Sequence, residues 1–167
     1  MTSPDPLHVP ALTSRWFARP ESPEAPVVVT GAFDVLHVGH VRFLAEVQQR
    51  RPELPVVVGV EDDARVRAWK GPSRPVNPED ERAELLAALR CVDGVFIVSG
   101  PAEVTGWDAY ADLLRPLGMA ALAFTAGDPY TSAKRRGAEV LGAEAWELPM
   151  TRGRSTSAAL SRLTRSL

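Results

Sequence analysis

Two histidines lie three residues apart shortly after a run of valines. Residues 27–40 read VVVTGAFDVLHVGH, so that His37 and His40 follow one glycine, Gly31, and enclose a second, Gly39. Side chains spaced i, i+3 at a helix start lie on about the same side of the first turn. Glycines let a ligand approach the backbone, and the free N–H groups of a helix start favour phosphate. The stretch predicts a phosphate site, with a metal site or incidental surface histidines as alternatives.

A metal site would need more ligands than two imidazoles. The chain has a single cysteine, Cys91, and few acidic residues cluster near the histidines. We therefore expect no metal bound by protein ligands alone. A single cysteine also excludes an internal disulfide and favours a reducing, cytoplasmic setting.

Short apolar runs alternate with helical patterns from residue 26 onward. Three runs are apolar throughout and two are weaker, and they read in order PVVVTG, PVVVGV, GVFIVSG, AALAF and AEAWELP. Runs without polar alternation are typical of parallel strands buried on both faces. The alternation predicts an α/β fold, namely a single Rossmann-like, doubly wound domain with a five-stranded parallel sheet. In such a sheet ligands bind at the carboxyl ends of the strands, where the histidines follow the first run.

The N-terminal 25 residues differ from the rest in their many prolines. We predict a proline-rich extension over residues 1–25, in which LTSRWFAR forms a short helix or part of a loosely ordered arm, and one domain over residues 26–167. No apolar run approaches the roughly 20 residues that span a bilayer, so we expect no membrane association. The net charge of −2 gives no overall basic footprint for nucleic acid.

A second stretch, WKGPSRPVNP at residues 69–78, places Lys70 and Arg74 in a proline-stiffened loop, with Arg82 shortly beyond it. These cations could reach a bound phosphate. The alternative is a rigid loop with solvated charges, which contribute little.

The segment GAFDVLHVGH, from Gly31 to His40, resembles the signature of the cytidylyltransferase-like nucleotidyltransferases. The members that this sequence resembles join a nucleoside monophosphate from an NTP to a phosphorylated small molecule and release pyrophosphate. The loop at residues 69–78 is similar to that of heptose 1-phosphate adenylyltransferase domains. Residues 152–157, RGRSTS, resemble the element that opens the last helix of glycerol-3-phosphate cytidylyltransferase. The resemblance extends over about residues 26–163, so the domain is expected to be a nucleotidyltransferase domain.

The resemblance implies a role for each matching residue. Its catalytic residues would be His37, His40 and Lys70. Acceptor binding would fall to Arg74 and Arg152. Nucleotide binding would involve Thr30, Gly31, Ala32, Phe33, Asp34, Gly39, Asp63, Arg82, Gly127, Asp128, Ser155, Thr156 and Ser157. For Asp63 a helix-capping role is an equally good interpretation, and Ser155 is expected to cap the last helix.

Among the positions that depart from the family patterns, two in particular leave the substrates open. Thr125 stands where heptose-type members have a lysine, and Met150 stands where glycerol-phosphate members have an arginine. We expect ATP and an acceptor such as a sugar phosphate, with CTP and glycerol 3-phosphate or a similar polyol or amino-alcohol phosphate as the alternative. The resemblance also implies Mg²⁺ carried with the NTP and a homodimer. A non-catalytic nucleotide-binding regulator is the alternative from another class, since a fold alone permits it.

Overall fold

A computed structural model describes residues 11–22 and 24–167 of the chain. Strands and helices follow one another as β1 (Thr13–Ala18), β2 (Val27–Gly31), α1 (Val38–Arg50), β3 (Val56–Glu61), α2 (Asp63–Lys70), α3 (Glu79–Ala87), β4 (Gly94–Ser99), α4 (Trp107–Leu114), β5 (Ala121–Thr125), α5 (Thr131–Val140), β6 (Glu144–Leu148) and α6 (Thr156–Ser166). Among the helices described, none is long and apolar enough to cross a membrane.

The strands form one sheet in the order β1-β4-β3-β2-β5-β6. Strands β2 to β6 pair in parallel, and β1 pairs antiparallel with β4. The expected α/β, Rossmann-like fold is confirmed, with six strands instead of five.

The sixth strand comes from the N-terminal segment, where a short helix was one expectation, and that expectation is wrong. Residues Thr13 to Trp16 pair with Ser99 to Phe96 along the free edge of β4. The Trp16 ring meets the Phe96 ring edge-on, with 5.5 Å between centroids. A short segment rich in Thr, Trp and Phe suits a strand, and cross-strand aromatic contacts stabilise the pairing.

Successive residues of β2 face opposite sides of the sheet, as the strand period of two requires. Val27 and Val29 pack in the core cluster beneath α1 and α3, whereas Val28 packs in the cluster beneath α4 and α5. Both sets are almost completely buried. Burial on both faces explains why the parallel strands read as uninterrupted apolar runs.

The order of the strands reverses at β2, and the chain opens there. From β2 the next two strands add on one side, whereas β5 and β6 add on the other. The pairing of β2 with β3 extends over five residues, but its pairing with β5 covers only Val27 and Val28. The carboxyl ends of β2 and β5 therefore separate, and a crevice forms at the position where doubly wound sheets bind ligands.

Candidate active site

The two histidines cap the helix that carries them. His37 is the N-cap of α1, and its Nδ1 accepts a hydrogen bond from the Gly39 N–H at 3.0 Å. His40, three residues on, accepts the His37 N–H through its own Nδ1 at 3.3 Å. The rings stack with 3.9 Å between centroids. This is the reciprocal arrangement of a capping box, with imidazoles in place of the usual hydroxyl and carboxylate.

The capping bonds fix the protonation of both rings. Burial, together with the charges of His37 and Lys70, lowers the pKa of His40 to about 4. Burial and the nearby Arg162 and Arg154 also lower the pKa of His37. A neutral imidazole whose Nδ1 accepts a hydrogen bond carries its proton on Nε2. Each ring therefore offers a neutral Nε2–H donor on the side away from the helix backbone.

Gly39 leaves room for this arrangement. A Cβ at this position would lie 2.7 Å from Cε1 of His37 and 3.2 Å from Cβ of Arg154. The second distance also brings the start of α6 against the start of α1. Ser155 caps α6 by accepting the Ala158 N–H at 3.1 Å, as expected. Two helix N-termini thus converge beside the histidines, and their free N–H groups favour a phosphate between them.

A cavity fills the crevice between β2 and β5, and we call it the basic cavity after Lys70 and Lys134, which lie in its wall together with Asp34 and Asp128. Its volume is about 320 Å³. Side chains from six parts of the chain meet in its wall, among them His40, Lys70, Lys134 and Thr156. The predicted site residues that line it are Thr30, Gly31, Ala32, Phe33, Asp34, His40, Lys70, Asp128 and Thr156.

Asp34 holds two loops together from a buried position. The residue is only 1% exposed. Its carboxylate accepts hydrogen bonds from the N–H groups of Val76 at 2.8 Å and Asn77 at 2.9 Å. Nε of Arg74 donates to the same carboxylate at 2.8 Å, and Nη2 of Arg74 donates to the Asp34 carbonyl at 2.6 Å. Burial would raise the pKa of Asp34, but these donors outweigh burial and hold the pKa below its ordinary value. Asp34 and Arg74 therefore anchor the loop at residues 71–78 to the histidine loop.

Arg82 lies in a different place from the one the sequence suggested. Its guanidinium is buried and donates to the carbonyl oxygens of Asn77, Ala32 and Glu61 and to the carboxylate of Asp63. Four of the five N–H groups are therefore bonded to protein oxygens. Arg82 shapes the β2 and β3 loops from behind the cavity.

Asp63 is the partner of Arg82, at 2.7 Å, and does not cap α2. Asp62 caps that helix by accepting the Arg65 N–H at 2.8 Å. The capping interpretation of Asp63 was therefore wrong by one residue.

Lys134 is a cavity residue that sequence reasoning missed. Its Nζ lies 2.6 Å from Oδ2 of Asp128, and Asp128 also accepts the Tyr130 N–H at 2.7 Å. The expected signal was a lysine at residue 125, directly after β5, but Thr125 stands there. The positive charge comes from the first turn of α5, where the helical spacing of Lys134, Gly137 and Ala138 places it on the inward face.

A second, largely apolar cavity of about 260 Å³ opens from the first, between α4 and α5. The aromatic residues of its wall are Trp69, Trp107, Tyr110 and Tyr130. Nothing in the sequence singled out this cavity, because its wall is assembled from segments that are up to about 110 residues apart.

A buried ionic network supports one wall of the apolar cavity. Arg65, fully buried, donates Nε to Glu61 at 2.7 Å, and its other nitrogens reach the Pro101 and Val104 carbonyls and the Tyr110 hydroxyl. Tyr110 in turn donates to Glu61. Burial raises the pKa of Glu61 and of Tyr110. Each buried polar group of the network therefore has a partner, as the low dielectric requires.

The remaining predicted residues lie around the basic cavity without lining it. Gly39 and Ser155 act through the caps described above. Gly127, in the loop after β5, has a φ of +82°. Ser157 and Arg152 are exposed near the start of α6.

Known proteins resemble the chain over most of its length. Residues 28–144 match the family model described as cytidylyltransferase-like. The chain is 36% identical over 135 residues to the bifunctional protein HldE of Hyphomonas neptunium, a match that covers 79% of this chain and 26% of that protein. It is 44% identical over 71 residues to the FAD synthase of Thermococcus kodakarensis, covering 42% of this chain and 46% of that one.

The fold and the histidine site define a Rossmann-like nucleotide-binding protein. The family match makes this more specific: the chain belongs to the cytidylyltransferase-like family. The predicted enzyme class, a nucleotidyltransferase, is confirmed at that level. The chain spans about a quarter of the length of the HldE relative.

Solved structures support the fold alone. The lipopolysaccharide core biosynthesis protein from Thermoplasma volcanium superposes with a TM-score of 0.55 at 22% identity, covering 76% of this chain and 96% of that one. A protein from Archaeoglobus fulgidus superposes with a TM-score of 0.53 at 18% identity.

Proposed function

We propose that this chain transfers a nucleoside monophosphate, AMP from ATP in preference to CMP from CTP, to the phosphate of a small molecule and releases pyrophosphate. The observation that carries the proposal is the stacked pair of imidazoles, each bonded through Nδ1, at the convergence of two helix N-termini. ATP is favoured by the resemblance of residues 69–78 to adenylyltransferase domains, and by the relative named FAD synthase, whose product contains an adenylyl group.

The proposed reaction is a direct in-line displacement. An oxygen of the acceptor phosphate attacks the α-phosphorus, the bond from that phosphorus to the α,β-bridging oxygen breaks, and pyrophosphate leaves with the bonding electrons. The acceptor reacts as its dianion, so no proton has to be removed. Positioning and charge stabilisation then supply the catalysis.

His37 and His40 would donate from Nε2 to the α-phosphate as charge develops on its equatorial oxygens. Lys70, whose pKa is lowered by burial and by Arg74, lines both cavities and would neutralise charge between the two substrates. Thr156 and the N–H groups at the start of α6 would bind the β- and γ-phosphates. Arg74 and Arg82 would position the loops instead of touching substrate, since their guanidinium groups are bonded within the protein.

Mg²⁺ would enter with the NTP. Among the described residues, the carboxylates in the wall of the basic cavity are Asp34 and Asp128. Both already accept hydrogen bonds from protein donors or form ion pairs with them. That donor set suits an ion held chiefly by phosphate oxygens. When bound, the ion supplies positive charge that offsets the charge of the triphosphate. The homodimer implied by the resemblance is also a proposal, and the mass in sedimentation equilibrium tests it.

Pyrophosphate release with Mg²⁺ tests the proposal. ATP and CTP are compared across a heptose 1-phosphate, glycerol 3-phosphate and aromatic phosphates, with wild type, His40→Ala and His40→Gln. Glutamine at this position keeps an acceptor for the His37 N–H, as in an ordinary capping box, and its amide N–H can still donate, so His40→Gln is the matched control. His40→Ala removes the donor, and we expect it to lose about 10²–10³ in rate, the usual loss for one such donor. Near-normal turnover by folded His40→Ala would contradict the proposed roles.

The alternative of a non-catalytic nucleotide-binding regulator gives a distinct result in the same assay. Such a protein would bind ATP with no pyrophosphate release for any acceptor.

A further inference from the structure

The lining of the apolar cavity indicates what kind of acceptor fits the site, which the sequence alone did not. It shares part of its wall with the basic cavity, including Gly31, Lys70 and Lys134, so one ligand can extend through both. The two lysines lie in this shared wall, where Lys134 is paired with Asp128 and keeps two ammonium N–H groups for a ligand. A phosphate bound to these lysines can place the rest of its molecule in the apolar cavity.

The mouth of the apolar cavity is aromatic. Of the four aromatic side chains exposed in the described part of the chain, three rim this opening: Trp69, Trp107 and Tyr130, at 39%, 36% and 51% exposure. Exposed aromatic rings grouped around one opening are a common feature of sites for flat apolar ligands. Farther in, the wall includes the buried side chains of Leu114 and Leu122.

The wall is poorly suited to the hydroxyls of a sugar. A polyol inside it would need several hydrogen bonds to replace those it makes with water. Trp69 donates Nε1 to the Ala102 carbonyl at 2.8 Å, and the Tyr110 hydroxyl and Glu61 carboxylate bond to each other and to Arg65. Apart from the Thr30 and Thr105 hydroxyls, the uncharged polar side chains of the inner wall thus have partners already.

An unfilled apolar cavity of this size also reduces packing within the core, because its lining atoms lack contacts on one side. Gly137 and Ala133, both small, keep the space open on the α5 side. A Cβ on Gly137 would meet nothing closer than 3.7 Å, so the wall has room that larger residues could have filled.

We propose that the acceptor is a phosphate monoester with a flat aromatic body, which occupies the apolar cavity while its phosphate lies between Lys70 and Lys134. The proposal rests on the proposed function and deepens it, replacing a sugar phosphate by an aromatic phosphate as the acceptor class.

Steady-state pyrophosphate release with ATP and Mg²⁺ tests the acceptor class. Riboflavin 5′-phosphate is compared with a heptose 1-phosphate and glycerol 3-phosphate. We expect kcat/KM for the aromatic phosphate to exceed that for either polyol phosphate by about tenfold or more, the scale of discrimination that an apolar pocket gives. A sugar phosphate used as well or better would overturn this inference and leave the nucleotidyltransferase proposal intact.

Variants locate the aromatic body. Ala133→Phe fills the cavity from α5, and Ser132→Phe adds the same ring at an exposed position beside it. We expect Ala133→Phe to raise KM for riboflavin 5′-phosphate about tenfold and Ser132→Phe to leave it unchanged. Trp107→Ala, at a partly exposed ring, should weaken binding in the same way if Ala133→Phe does not fold. Equal KM values in all folded variants would overturn the assignment.

A binding measurement separates this inference from turnover. The fluorescence of riboflavin 5′-phosphate is titrated with protein in the presence of α,β-methylene ATP. Quenching by wild type that Ala133→Phe loses supports the cavity assignment, even if no acceptor releases pyrophosphate and the proposed function fails. Absence of binding overturns the cavity assignment. In a second titration without the analogue, competitive displacement of riboflavin 5′-phosphate by ATP also overturns it, because the cavity would then belong to the nucleotide base.

Discussion

Removing the Asp34 carboxylate should greatly lower the free energy of unfolding of the chain. Asp34→Ala deprives the Val76 and Asn77 N–H groups of their acceptor and Arg74 of its ion-pair partner. Each buried N–H left without a partner costs about 1–3 kcal/mol. Loss of a buried ion-pair partner costs about 3–5 kcal/mol when the remaining charge stays buried. The Arg74 side chain is 14% exposed and can regain water, so that part is smaller here.

We therefore expect Asp34→Ala to lower the free energy of unfolding by about 3–5 kcal/mol, a large share of the 5–15 kcal/mol typical of a domain. Urea denaturation at pH 7, followed by far-UV circular dichroism, measures this. Asp80→Ala is the matched control, because Asp80 is 66% exposed and its bond to Arg15 lies at the surface, where an ion pair contributes about 0–1 kcal/mol.

The pH dependence of the difference in stability between wild type and Asp34→Ala shows whether the ionised Asp34 carboxylate causes it. The fold holds the pKa of Asp34 below its ordinary value, so its contribution is present above the ordinary pKa and is lost as pH falls through the folded pKa. The gap between wild type and Asp34→Ala should stay constant from pH 7 to about pH 5 and shrink as pH falls below the ordinary aspartate pKa of about 3.9. If Asp34→Ala lies within about 1 kcal/mol of wild type at pH 7, the account of the two anchored loops is refuted.

Three further predictions concern the histidine helix and the lysine of α5. Because the pKa of His40 falls from 6.5 to about 4 on folding, the unfolded chain takes up the proton first, and stability should drop by on the order of 3 kcal/mol as pH falls from 6.5 to 4. Urea denaturation at a series of pH values measures this fall in stability. In His40→Gln the fall should be smaller by the contribution of His40, and a pH dependence equal to that of wild type would contradict the prediction. Gly39→Ala should reduce kcat/KM about 100-fold with the fold retained by circular dichroism, because the new Cβ displaces the His37 ring; full activity would contradict the close contact. Lys134→Met should raise the KM for the acceptor about tenfold while Lys134→Arg keeps it near wild type, and initial-rate kinetics in which both variants match wild type would exclude a phosphate contact.

The part of the site that the sequence predicts is the part made by consecutive residues. His37, Gly39 and His40 are neighbours on one helical turn, so their spacing alone brings them together. The buried strands are also predictable, because parallel strands covered on both faces leave long apolar runs. Ser155 caps α6 as expected, since a capping bond joins residues three apart.

The sequence is less informative where a side chain's role depends on what lies opposite it. Arg82 follows a basic loop and looks like a phosphate ligand, but the fold buries it against three carbonyls and Asp63. Lys134 and the apolar cavity depend on how α4 and α5 diverge over the sheet, which no local pattern encodes. Strand β1 forms because β4 has a free edge, and its own six residues are too few to decide between helix and strand.

Phosphorus-31 NMR of the reaction tests the central claim most directly. The protein is incubated with ATP, Mg²⁺ and each acceptor phosphate in turn, without any coupling enzyme. Direct transfer of the adenylyl group predicts that the acceptor monoester signal gives way to a pair of diphosphate-diester signals, with one pyrophosphate formed for each acceptor consumed. Formation of ADP and inorganic phosphate, or of AMP and pyrophosphate with the acceptor unchanged, would contradict the account.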